Sequence, residues 1–154
     1  MERTKMQVFV GADYRGLERK NQLIPFLIDN GYQVEDLGDY EYNEGDDFND
    51  PAIKVAKKVR ENPGSMGILI CDSAHGVTMQ ANRFKGIRAA NCAFVESAKL
   101  AREHDDANIL TMSAHFIDEK LMQEIVKTFL ETKFESLERR VRRINRLDER
   151  EDYD

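Results

Sequence analysis

Cysteine, proline and glycine are scarce in this chain: two, three and nine among 154 residues. So few prolines and glycines, with Leu, Ile, Val and Phe spread throughout, argue against collagen-like repeats, low-complexity sequence and global disorder. Cys71 and Cys92 stand apart in apolar runs without C-x-x-C or Cys/His zinc spacing. A disulfide framework and a structural metal are therefore not expected, and both cysteines read as free thiols. No window approaches eighteen consecutive apolar residues, and the segment from Met1 to Met6 lacks a signal peptide's apolar stretch. The expectation is a soluble, cytoplasmic protein without membrane contact.

A broad positive face is also missing. With 23 Lys/Arg against 29 Asp/Glu the formal charge is −6, which disfavours nucleic-acid binding. The charge is unevenly placed. Eight acids and no Lys or Arg lie between Val34 and Asp50, whereas Arg139 to Arg146 holds five arginines and no acid. A local anion site, or contact with the acidic block, suits that basic stretch.

What is present is strict alternation. Short β-branched or apolar runs at 8–12, 32–36, 67–71, 87–93 and 108–112 are separated by helix-like stretches. Such alternation implies right-handed βαβ crossovers and a three-layer α/β/α domain, a doubly wound, Rossmann-like sheet of five parallel strands. Asp50-Pro51 reads as an N-cap followed by Pro at the first helical position, and Asp118 as the cap of a helix striped by Leu121, Ile125 and Phe129. Gly31 reads as the residue ending the first helix, in which Pro25 predicts a kink or a late start. Leu137, Val141, Ile144 and Leu147 add a C-terminal helix, with a charged tail from Asp148 that should fray. The expected division is an α/β domain over 1–134 and a terminal helix and tail over 135–154 that packs on a partner subunit.

In an open parallel sheet, ligands bind beyond the carboxyl ends of the strands. The segments read as following strands one, three, four and five hold Asp13, Cys71, His75, His104, Asp105 and His115, so all three histidines are expected on one edge with a cysteine and an aspartate. Each has a plainer reading: Cys71 as a small buried hydrophobe, Asp13 as a helix cap, His104 as a solvated helix-end residue. Joint placement at strand ends favours the site. A receiver-like domain would need an acidic pair after strand one, an aspartate ending strand three and a lysine ending strand five, whereas here strand three ends in Cys71 and strand five reaches His115. No G-x-G-x-x-G follows strand one, so nucleotide-cofactor binding has little support.

From about Val8 to Val141, through Gly11-Ala-Asp13, Asp47-Phe-Asn-Asp50, Gly67-Ile-Leu-Ile-Cys71, Ala81-Asn82, Gly86-Ile-Arg-Ala-Ala90 and Arg102-Glu-His-Asp-Asp-Ala-Asn108, the sequence resembles the ribose-5-phosphate isomerase B and galactose-6-phosphate isomerase family. The resemblance implies aldose–ketose isomerisation of a sugar phosphate through a cis-enediol, without metal or cofactor, in sites lying between subunits of a homodimer or higher oligomer. It implies Cys71 as the base, His104 as the ring-opening group, Asp13 contacting sugar hydroxyls and Ser73 in place of a loop threonine. By the same resemblance Tyr14, Asp72, His75, Gly76, Asn82, Asp105 and His115 line the substrate, with Arg140 or Arg142 for the phosphate. A helix beginning near Val77 would favour the Cys71 thiolate, and amides from Asp72 to Gly76 could hold the enediolate oxygen.

The sequence departs from the family pattern in several places. Asp72-Ser-Ala-His-Gly76 replaces a loop richer in glycine, which limits positive φ, and Asp72 is expected to raise the pKa of Cys71. Tyr14 stands where histidine is usual, His115 where arginine is usual, Phe48 in place of a tyrosine, and a Gly-Gly-Arg-His segment is missing. The competing expectation is a non-catalytic or partner-requiring sugar-phosphate-binding subunit in a hetero-oligomer with a related chain.

Overall fold

A computed structural model describes residues 6–149. The strands are β1 (Gln7–Ala12), β2 (Gln33–Asp36), β3 (Met66–Cys71), β4 (Ala89–Asn91) and β5 (Ile109–Ser113). The helices are α1 (Leu17–Asp29), α2 (Asn49–Glu61), α3 (His75–Ala81), α4 (Val95–Asp105), α5 (Glu119–Glu131) and α6 (Glu138–Arg146). All strand pairs are parallel, in the order β2-β1-β3-β5-β4. The period-2 pleat sends Val8, Val10, Ile68 and Ile70 to one face, where Leu23, Leu27, Met122, Ile125 and Phe129 cover them. Phe9, Leu69 and Cys71 face the other way, under Val55, Val59 and Val77. The three-layer, doubly wound architecture expected from the alternation is what forms.

The helix boundaries follow local chemistry. Asp118 accepts from the Leu121 N–H at 2.8 Å, a true side-chain cap. Gly31 follows the end of α1 with φ +88°, the left-handed conformation a side chain disfavours. Pro25 lies inside α1, which starts at Leu17 and runs unbroken, so the late start did not occur. Asp50 is not the cap of α2: that helix starts at Asn49 after Phe48, which puts Pro51 at its third position, still in the first turn where no intrahelical N–H is required.

A charged pair is buried within this frame. Lys20 is fully buried, and its Nζ reaches Asp36 Oδ1 at 2.6 Å and the Asp39 carbonyl at 2.5 Å. The lysine thereby ties α1 to the end of β2 and to the loop after it. Lys20→Met removes the ammonium and leaves the partly exposed Asp36 carboxylate with the Gly38 N–H at 3.0 Å as its partner. Loss of about 3 kcal/mol of stability is expected, measured by urea unfolding; a variant as stable as the parent would show the pair to be dispensable.

The C-terminal helix α6 packs on α4 of its own chain. Asp148, expected in a fraying tail, accepts from the Gly86 N–H at 3.2 and 3.1 Å. The rest of that tail, 150–154, and residues 1–5 lie outside the described residues. Among the described residues no helix is long and apolar enough to cross a membrane.

Candidate active site

The carboxyl ends of β1, β3 and β5 form one rim. Register pairs Ala12 with Ile70 and Cys71 with Ser113, so the three strands end nearly level. Ser113 joins two of them: its Oγ donates to the Asp72 carbonyl at 2.5 Å and accepts from the His115 and Phe116 N–H groups at 3.1 Å. This serine is not among the expected site residues, and its register opposite Cys71 emerges only from the strand pairing.

Cys71 ends β3, 5% exposed, with Phe9, Leu69, Val77 and Ile87 in its cluster. Its Sγ accepts from the Ala74 N–H at 3.2 Å, and the Ser73 and Val77 amides also favour its anion. Burial outweighs them and pushes the thiol above its ordinary range, with the Asp13 charge adding to the rise. The expected culprit, Asp72, is not among these causes: its carboxylate is turned to solvent, 3.8 Å from His115 Nδ1. Of the loop amides expected to face an enediolate oxygen, those of Ser73 and Ala74 point at the sulfur and that of His75 donates to Ser73 Oγ.

The loop achieves this without its glycines. Ala74 adopts φ +72°, a left-handed conformation costly for a residue with a Cβ. Thr78 secures it: its hydroxyl donates to the Ala74 carbonyl at 2.6 Å and meets the Thr111 hydroxyl at 2.5 Å. Helix α3 therefore begins at His75, earlier than expected. Gly76 is required by contact, because a Cβ there would stand 2.7 Å from the Phe48 ring, which packs over this turn from α2. Ser73 Oγ accepts from the His75 N–H at 3.3 Å, and the His75 side chain stays exposed.

Asp13 is not the N-cap of α1, which is Gly16, but holds the turn that leads into that helix. Its carboxylate accepts from the Arg15 and Gly16 N–H groups at 3.0 Å, while it sits 8% exposed on the same rim as Cys71. Burial raises its pKa, those two amides oppose the rise, and the charges of Asp39 and Asp72 add to it. Tyr14 stands beside it, its N–H on Asp46 Oδ2 at 3.1 Å and its ring 5.2 Å from that of Tyr42. Asp13, Tyr14, Cys71, Asp72, Ser73, His75, Gly76 and His115 thus share one edge, as expected.

His104, Asn82, Asp105, Arg140 and Arg142 do not join them. His104 lies not in a loop after β4 but in the last turn of α4, which returns antiparallel to the strands and delivers the chain to the start of β5. Ile109 pairs with Gly67, four residues below Cys71, so sulfur and imidazole lie beyond opposite ends of the sheet, at least about 13 Å apart along it. Asn82 is at that lower edge too, its amide spent on both backbone groups of Ala89, at 3.0 and 2.8 Å. Arg140 Nη1 donates to the Glu103 carbonyl at 3.2 Å and lies 3.4 Å from Glu135 Oε2, next to His104. Arg142 is exposed and paired with Glu138 at 2.9 Å. Only Arg140 of the two sits against the His104 turn. A cleft of about 400 Å³ there is lined by Asn82, Arg88, Asp105 and Leu147 among others. The candidate residues of one chain therefore form two groups, one at each edge of the sheet.

A sequence model described as Ribose/Galactose Isomerase matches residues 8–147. The chain belongs to this isomerase family. It is 42% identical over 128 residues to a probable ribose-5-phosphate isomerase B of Mycoplasma pneumoniae, covering 83% of this chain and 84% of that one. The ribose 5-phosphate isomerase of Thermotoga maritima superposes with a TM-score of 0.89 at 39% identity, over 94% and 98% of the two chains. That of Mycoplasma genitalium, solved with bound ribulose-5-phosphate, gives 0.90 at 37% identity over 94% and 95%. The Ribose/Galactose Isomerase family is thus the one whose motifs the sequence displays. Among the described residues no group of three His, Cys, Asp or Glu is placed to hold a metal ion.

Proposed function

We propose that this chain is an aldose–ketose isomerase of a phosphorylated sugar, with ribose 5-phosphate the first substrate to test, and that its site is completed by a second copy. The observation that carries the reading is Cys71: a sulfur at a strand tip, met by the Ala74 N–H at 3.2 Å and within the field of Asp13. Isomerisation through an enediol needs a base that takes a proton from one carbon and returns it to its neighbour, and a thiolate does both without leaving the site. Asp13 is suited to hold sugar hydroxyls. His104, half-exposed with Nε2 3.8 Å from Glu103 Oε1, is suited to open the ring, and Arg140 stands beside it. Because these two lie at the opposite edge, they serve Cys71 only from another chain, which makes the working unit at least a homodimer. Two free, buried thiols suit the reducing cytoplasm.

The raised thiol sets the pH profile. If the thiolate is the base, kcat/KM rises with pH through neutrality and is still climbing on the alkaline side, because the ionised fraction grows until pH passes the displaced pKa. Interconversion of ribose 5-phosphate and ribulose 5-phosphate, followed from pH 6 upward, checks both claims. No turnover on any pentose or hexose phosphate defeats the catalytic reading. A profile falling above neutrality assigns the base to another group.

The replaced loop favours one second reading, a subunit that needs a related chain for activity. Ala74 at φ +72° and exposed Asp72 mark that loop as altered. Copurification from the native host distinguishes the two: a related chain in fixed ratio supports the second, a homo-oligomer active by itself the first.

A further inference from the structure

The rim around Cys71 is acidic: Asp13 and Asp72 carry charge on it, and Asp39 and Asp46 lie in the adjoining loop. A phosphorylated sugar brought there meets repulsion unless a cation answers it. Neighbouring cations are engaged elsewhere. Arg19 donates to the Ile117 carbonyl and to Gln22, and Lys20 is sealed against Asp36.

Arg15 is different. It follows Asp13 by two residues, its guanidinium lies 5.3 Å from the centre of the Tyr14 ring with the Tyr14 hydroxyl as hydrogen-bond partner, and among the described residues no carboxylate forms a salt bridge with it, although the Asp72 charge acts on it. With Tyr14, Tyr42, Asn21 and Gln22, and with one carboxylate, Glu18, it lines an open cleft of about 560 Å³. The backbone at Arg15 donates to the Asp13 carboxylate, so this cleft adjoins the Cys71 rim through a single bonded turn. A planar fork of donors held on an aromatic ring, beside hydroxyl and amide donors, has the chemistry of a phosphoryl site.

We propose that Arg15 is the phosphate-binding cation contributed by the Cys71 half-site, receiving the phosphoryl group in the Tyr14–Tyr42 cleft. This rests on the isomerase reading and assigns the group's placement within it. Tyr14 shelves the guanidinium.

The test is kinetic and uses two probes, ribose 5-phosphate and inorganic phosphate. Arg15→Gln is expected to raise KM for ribose 5-phosphate about tenfold, with kcat within about twofold, and to weaken competitive inhibition by inorganic phosphate by a similar factor. Arg15→Lys should fall between the two, because it keeps the charge and loses the fork. Calorimetric binding of ribose 5-phosphate to Cys71→Ala, with and without Arg15→Gln, reads the same loss without turnover and so separates this inference from the isomerase reading. Unchanged KM and unchanged phosphate inhibition in Arg15→Gln overturn the proposal. So does a fall in kcat at constant KM, which would make Arg15 a positioning residue for Asp13. An Arg15→Gln protein that does not fold leaves Arg15→Lys to decide, and parental affinity for both probes in that variant would also overturn it.

Discussion

Cys71→Ala is expected to lower isomerase turnover by about 10²- to 10⁴-fold, the contribution of a positioned base to proton transfer. The fold should survive. The thiol is a small member of an apolar cluster with Phe9, Leu69 and Val77, and trimming it to a methyl costs about 1 kcal/mol. Affinity for ribose 5-phosphate, read by calorimetry, should stay close to that of the parent, since contacts at Asp13 and the phosphate are untouched. The loss therefore belongs to kcat. A variant that keeps parental turnover would move the base to another group on the rim, with Asp13 first in line, because burial already raises its pKa.

That expectation depends on a short stretch of backbone. Strand β3 is buried from Met66 to Cys71, and the chain then turns through Ala74 in a left-handed conformation fixed by Thr78. The turn directs the Ser73, Ala74 and Val77 amides at the sulfur, while burial makes its anion harder to form. These opposing effects leave a thiol that ionises late. A base of this kind is strong once formed and scarce at neutral pH, which links the alkaline-rising profile to the geometry of one loop.

The sheet was legible because its strands are short, β-branched and buried on both faces. The edges of the elements were less so. β4 spans only Ala89–Asn91, and just before it the Arg88 N–H is held by the Asn108 side chain. Lys20 gave no signal: a lysine in an amphipathic helix reads as solvent-facing, and only its partners, Asp36 at the end of β2 and the Asp39 carbonyl in the loop after it, show why it is buried.

At the site, residues that directly follow a strand were placed correctly. Asp13, Cys71, Ser73, His75 and His115 all lie on the carboxyl rim. His104 was misplaced because the last turn of a crossover helix and the loop after a strand look alike in sequence. The eleven residues of α4 rise about 16 Å and carry that histidine to the opposite edge. Asn82 follows α3 to the same edge for the same reason. The expectation that sulfur and imidazole share a cavity fails within one chain, and the isomerase reading stands only if two chains supply them.

Mixing two inactive variants tests that directly. Cys71→Ala and His104→Ala proteins, each crippled alone, are coexpressed with different tags and isolated together. If each site takes Cys71 from one chain and His104 from the other, every doubly tagged mixed dimer has one intact site of two, and its activity returns to about half of the parent's. Recovery near that level is the predicted result. A mixed oligomer no more active than either variant alone would contradict it.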